Sequence, residues 1–118
     1  MKRLLLIMNP AAGTKKANPH LAEILSTFGR AGYECTVWMT QKRGDATELT
    51  LRRGAEADLI VCIGGDGTFN EVVTGAVQAG ISTPIGYIPA GSTNDFAASL
   101  GLPKNVIQAA QAIVAGRP

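Results

Sequence analysis

The chain has 118 residues, of which 46% are hydrophobic and 17% charged. That balance suits one globular domain with a real core and excludes a disordered segment. A net charge of +2, aromatics at 5% and no Lys/Arg run longer than two residues leave no footprint for nucleic acid. The single histidine, His20, excludes a metal centre built on histidines.

Met1-Lys2-Arg3 followed by Leu4–Met8 imitates a signal peptide, but the apolar run stops short of the roughly 7–15 residues of a real one. Leu4–Met8 instead predicts a strand buried on both faces of a parallel sheet. The loop Asn9–Lys16 follows, where Gly13 can bring backbone close to a phosphate. Thr14, Lys15 and Lys16 either add donors and charge there or are simply solvated. Asn18-Pro19 is a helix start, and Leu21, Ile24, Leu25 and Phe28 then form one apolar face ending at Gly32. Cys35, Val37 and Met39 alternate with Thr36, Trp38 and Thr40, a half-buried edge strand. Cys35 and Cys62, both in apolar strand-like runs, read as buried reduced thiols. After the turn Gln41–Gly44, Asp45 is expected to cap a helix with Glu48 completing the box. Leu49 faces inward, and the helix stops near Gly54.

Asp58 opens the central strand, Leu59–Ile63, which runs into Gly64-Gly65-Asp66-Gly67-Thr68. Three glycines in four positions are costly to order, and are tolerated where φ must be positive or a ligand must approach the backbone. A helix starting here points unpaired N–H groups and the positive end of its dipole outward, which suits a phosphate. A carboxylate beside a phosphate repels it, so Asp66 makes sense if it works through Mg²⁺ or accepts hydrogen bonds from a sugar hydroxyl or backbone. Thr68 and Glu71 also match a capping box, which needs no ligand. Phe69, Val72, Val73, Ala76 and Val77 predict one inward helix face, ended by Gly80. Pro84–Ile88 is a fourth strand. Pro89–Asp95 is a second glycine-containing turn, with Ser92 or Thr93 capping a short helix ended by Gly101 and Pro103. Asn105 caps a last helix, with Val106, Ile107, Ala110, Ile113 and Val114 inward.

Strand and helix thus alternate four times, which predicts an α/β fold: a three-layer helix–sheet–helix with a mainly parallel sheet. Asn9, Thr40, Gly65 and Gly91 all follow strands, so they gather along the carboxyl edge as one shared site. The site is not a P-loop, which needs Gly-x-x-x-x-Gly-Lys-Ser/Thr. Nor is it a dinucleotide fingerprint, because Asn70 stands where a third glycine belongs.

Gly64-Gly65-Asp66-Gly67-Thr68-Phe69-Asn70-Glu71-Val72 resembles the signature of the diacylglycerol kinase catalytic-domain family, soluble bacterial lipid kinases related to sphingosine and NAD kinases. Asn9-Pro10-Ala11-Ala12-Gly13 resembles its first nucleotide loop and Pro89-Ala90-Gly91-Ser92-Thr93-Asn94-Asp95 its third. The family prefers threonine where Ser92 stands, and the hydroxyl is kept. The resemblance implies an N-terminal nucleotide-binding domain like that of NAD kinase and diacylglycerol kinase-like proteins. It implies ATP and Mg²⁺ as cofactors and transfer of the γ-phosphoryl group to a lipid hydroxyl, as in phospholipid biosynthesis. Nucleotide contacts would come from Asn9, Pro10, Ala11, Ala12 and Gly13, from Thr40 at its strand end, and from Gly64, Gly65, Asp66, Gly67, Thr68, Asn70 and Glu71. Gly91, Ser92, Asn94 and Asp95 complete the set, with Asp66 as the catalytic residue holding the nucleotide–metal arrangement.

The family's second, β-rich domain is expected to lie outside these residues. It would bring the lipid pocket, most metal ligands and a general base. The 118 residues alone are therefore expected to bind ATP without phosphorylating diacylglycerol. Contact with a membrane surface would be transient and made through that other domain, and an uncovered surface would favour self-association into a homo-oligomer. A cytoplasmic location is expected, since no run approaches the roughly 20 residues of a membrane span. Two alternatives stand beside this reading: an NAD kinase-like enzyme, and a non-catalytic nucleotide-binding or dimerisation module.

Overall fold

Leu4–Met8 carries no polar side chain, so a strand made of it is stable only with both faces covered. In the computed structural model, which describes residues 2–9, 21–89, 110, 111, 113 and 114, that is its position. Strand β1 (Lys2–Met8) is followed by helix α1 (Leu21–Arg30), β2 (Tyr33–Met39), α2 (Asp45–Arg53), a 3₁₀ turn (Gly54–Glu56), β3 (Leu59–Gly64), α3 (Asp66–Ala79) and β4 (Ile85–Pro89). The sheet is entirely parallel with order β2-β1-β3-β4, the architecture that the alternation predicts.

Alternate residues of β1 feed two cores. Leu4, Leu6 and Met8 pack with Ile24 and Phe28 of α1, with Val61, Ile63 and Ile88, and with Ala110. Leu5 and Ile7 pack on the other face with Ala46 and Leu49 of α2, Val72 of α3, Ile60, Cys62 and Tyr87. Burying each such aliphatic side chain contributes about 1.5–3 kcal/mol. The amino ends of β1 and β3 are fastened by a reciprocal pair: Arg3 N–H donates to Asp58 Oδ2 at 2.7 Å, and Asp58 N–H donates to Arg3 O at 2.8 Å.

The predicted faces hold for α1, where Leu21 and Leu25 flank the fully buried Ile24 and Phe28. Edge strand β2 is half-buried as expected, with Cys35 partly covered and Cys62 buried, both as free thiols. Met39 departs from the alternation and is exposed, as is Val114 in the last helical stretch. The expected helix starts at Asn18 and Asn105, and His20, lie outside the described residues.

Two local expectations fail for identifiable reasons. Asp45 does not cap α2. The cap is Gly44, at φ +93°, and the Asp45 carboxylate instead closes the preceding turn by accepting from Gln41 N–H at 2.7 Å and Lys42 N–H at 3.0 Å. Glu48 meets Arg52 one helical turn on, an exposed pair at 3.7 Å. On α3, Val77 is 74% exposed, and the inward stripe is Thr68, Val72, Gly75 and Ala76. The stripe is rotated because α3 leans on α2 at Gly75. A Cβ there would stand 2.6 Å from Thr47 O and 2.8 Å from Thr50 Cβ. A residue without a side chain is invisible to a count of apolar positions.

This contact yields a test. Gly75→Ala gains about 1 kcal/mol in intrinsic helix propensity, but overpacking against α2 backbone should outweigh it. Urea unfolding should show a net loss of about 1–2 kcal/mol. A net gain would mean that the two helices are not in contact at this point.

Candidate nucleotide site

The sheet order reverses between β1 and β3. From β1 the chain crosses to β2 by way of α1, on one face; from β3 it crosses to β4 by way of α3, on the other. The segments leaving the two strand ends therefore part, and a crevice opens outside the carboxyl edge, the usual ligand position in such sheets. The strand ends are level: Met8 is in register with both Met39 and Ile63, and Gly64 with Pro89. With strands about 4.8 Å apart, the end of β2 and the end of β3 lie about 10 Å apart across β1.

Asn9 occupies the reversal. Its N–H donates to Ile63 O at 3.0 Å, which extends the β1–β3 ladder by one bond. Its side-chain amide makes a long 3.5 Å bond to Thr68 Oγ1 on α3. Thr40 is fastened to the same strand end, donating from N–H to Met8 O at 2.8 Å and from Oγ1 to the same oxygen at 3.4 Å. Asn9, Thr40, Gly64, Gly65 and the first turns of α3 are thus brought to one edge. Pro10, Ala11, Ala12, Gly13, Gly91, Ser92, Asn94 and Asp95 lie outside the described residues.

The glycine turn divides into distinct roles. None of its three glycines has a positive φ, so left-handed backbone is not the reason for them. At Gly64 the reason is packing, since a Cβ would lie 3.0 Å from Thr68 Cβ and Oγ1. Gly65 is the helix cap, extended at φ −88° and ψ −175°. Gly67 is already helical and exposed, with nothing within 4 Å of where a Cβ would be. Among the described residues neither fold geometry nor a protein neighbour accounts for glycine there, in the first turn of a 14-residue helix.

The predicted capping box is not formed. Helix α3 begins at Asp66, so Thr68 is the third helical residue, with Phe69 N–H already donating to Gly65 O at 3.1 Å. Thr68 is buried under Asn9 instead. Glu71 turns to the neighbouring helix: its Oε1 accepts from Gly44 N–H at 3.1 Å, and its carbonyl accepts from Thr47 Oγ1 at 2.9 Å. It takes the N–H of the cap residue Gly44, the place that a capping box would give to Glu48. Asn70 is exposed on α3.

Asp66 stands in the first turn of α3, where a carboxylate gains from the dipole. The Tyr87 hydroxyl donates to its Oδ1 at 3.2 Å. Tyr87, buried on β4, also stacks on Phe69 with centroids 4.7 Å apart and planes at 26°. It is the residue that motif reading missed. The signal available was a tyrosine inside a buried run, whose hydroxyl must find a partner; which partner depends on β4 lying beside β3. Burial, and then the charge and hydrogen bond of Asp66, push the Tyr87 hydroxyl's pKa well up, so it remains a donor through the working range. Burial, and then the nearby Glu71 carboxylate, push the Cys62 thiol up as well. Among the described residues no cluster of three His, Cys, Asp or Glu side chains forms a metal cage.

Burial raises the partly covered Cys35 thiol too. All three raised groups bind their protons more tightly folded than unfolded, so their contribution is fully present below the unfolded values and lost as pH rises. Folding stability should be flat near neutrality. It should start to fall above 9.0, the ordinary thiol value, and steepen above 10.0, the ordinary tyrosine value, by up to about 1.4 kcal/mol per pH unit for each group. Denaturant titrations at stepped pH should show the onset moving up by about one unit in the double variant Cys35→Ala/Cys62→Ala. An unmoved onset would remove the two thiols as its source.

The chain matches the family model "Diacylglycerol kinase catalytic domain" over residues 3–118. It is 44% identical over 121 aligned residues to the diacylglycerol kinase of Bacillus subtilis (strain 168) and 38% identical over 117 to that of Staphylococcus carnosus (strain TM300). Each alignment takes in 98% of this chain but only 39% and 38% of the relative. The chain therefore spans about two fifths of the length of these curated relatives. A crystal structure of a diacylglycerol kinase from Bacillus anthracis str. Sterne superimposes with a TM-score of 0.87 at 33% identity, over 98% of this chain and 43% of that one. Matched from its third residue to its last and sharing that fold, the chain belongs to the diacylglycerol kinase catalytic domain family.

Proposed function

We propose that these residues are the ATP-binding part of a lipid kinase that transfers the γ-phosphoryl group of ATP to a hydroxyl of diacylglycerol. The observation that carries this reading is Gly67. It is a glycine in the first turn of a long helix, required by neither φ nor packing among the described residues, at the edge where the sheet order reverses. Backbone bare of a side chain at a helix N-terminus is what a phosphate group needs for close approach. The relatives' names supply the lipid.

The residues divide the work accordingly. The N–H groups at the start of α3 face the phosphates, while Asn9, anchored to Ile63 and Thr68, sets the entry of the first loop. Thr40 lines the far end of the edge, and Ser92, Asn94 and Asp95 would close it from the third loop. Asp66 offers a hard carboxylate oxygen and fits a Mg²⁺ that takes one or two carboxylates with the rest from phosphate and water. Such an ion, when bound, neutralises charge on the transferring group. Glu71 is engaged at the cap of α2 and is a positioning group in this reading. In this reading the lipid pocket and the base that takes the hydroxyl proton lie outside these residues, and contact with a membrane surface is transient.

Labelled ATP and diacylglycerol in mixed micelles test the assignment. The full natural protein should form phosphatidic acid, and Asp66→Asn should lower turnover by about 100-fold or more while the fold persists. Residues 1–118 alone should bind nucleotide without turnover, so comparable turnover by them would show that the roles are misassigned. Gly67→Ala should separate fold from function. It should stabilise the domain by about 0.5–1 kcal/mol through helix propensity, yet weaken ATP binding measured by calorimetry. Tighter folding with unchanged binding would remove Gly67 from the phosphate site.

A further inference from the structure

Tyr87 joins two parts of the site that the sequence keeps 21 residues apart. Its register partner on β3 is Cys62, two residues before Gly64. It lies two residues before Pro89, the end of β4 and the first residue of the third motif. On α3 it touches both Asp66, through its hydroxyl, and Phe69, through its ring. Those two residues are one helical turn apart and so share a side of the helix. The ring stack fixes where the hydroxyl points, and the hydroxyl takes one oxygen of a carboxylate that would otherwise rotate freely about its terminal torsion.

Resting on the nucleotide reading of Asp66 above, we propose that Tyr87 is a positioning residue for that carboxylate. It holds Asp66 in the orientation that receives Mg·ATP and ties the start of α3 to the strand leading into the third loop. A hydrogen bond to a charged acceptor is among the stronger ones, and is directional. A carboxylate oriented before the ligand arrives loses less freedom on binding.

A double-mutant cycle on the full natural protein tests this, reading Mg·ATP affinity by calorimetry and stability separately by thermal melting. Tyr87→Phe keeps the ring and its stack and removes only the hydroxyl. It should weaken Mg·ATP binding about tenfold. In an Asp66→Asn background the same change should have little further effect, because there is no charged oxygen left to orient. Phe69→Leu, which leaves both polar groups and loosens the ring beneath the hydroxyl, should give a smaller loss with the same dependence on Asp66. A purely structural role would lower melting without this coupling in affinity. Equal affinity losses in both backgrounds, or none in either, would overturn the proposal while leaving the nucleotide reading intact, provided that Asp66→Asn itself weakens binding. Unchanged affinity in Asp66→Asn would instead remove the reading on which the proposal rests, and the proposal with it.

Discussion

The pairing of β1 with β3 is the constraint from which the site follows. These strands are not consecutive in the chain, and both are buried on both faces, so neither is stable until helices cover the two sides. Right-handed crossovers leaving in opposite directions then have to place α1 on one face and α3 on the other. The crevice at the carboxyl edge is a geometric result of that divergence. Asn9 belongs to both sides of it, continuing the ladder with Ile63 and reaching Thr68 on the helix that starts across the gap.

Around that crevice the polar groups bind one another before any ligand is considered. Glu71 accepts from Gly44 N–H at the start of α2, Asp45 closes the turn before it, Thr68 sits over Gly64, and Tyr87 holds Asp66. These contacts fix α3 against α2 and β4, so the helix N-terminus points into the crevice as part of a rigid unit. Preorganised donors are worth more than flexible ones because nothing has to be reordered when charge arrives. Gly67 is the position in this set that no contact among the described residues determines.

The sequence makes the layers, the parallel sheet and the edge position of β2 legible, because apolar runs and helical spacing respond to burial directly. The strand ends at Asn9, Thr40 and Gly65 are legible for the same reason. Caps are less so. Thr-x-x-Glu at Thr68–Glu71 and Asp-x-x-Glu at Asp45–Glu48 both match a local pattern, yet the caps are Gly65 and Gly44 and the carboxylates go elsewhere. Glu71 reaches Gly44, 27 positions away, a contact set by the packing of α2 on α3, which no local pattern contains. Gly75 and Tyr87 were missed on the same ground. Each acts through a neighbour supplied by tertiary structure, one by lacking a side chain and the other by the order of strands.

The central claim is that separate strand ends form one phosphate site. Titrating Mg·ATP into isotopically labelled residues 1–118 and following backbone amides by NMR tests it most directly. The account predicts that Asn9, Gly67 and Ser92 shift together with a single midpoint, while amides at the amino edge such as Arg3 and Asp58 stay still. Shifts confined to another face, or separate midpoints for the three loops, would contradict it.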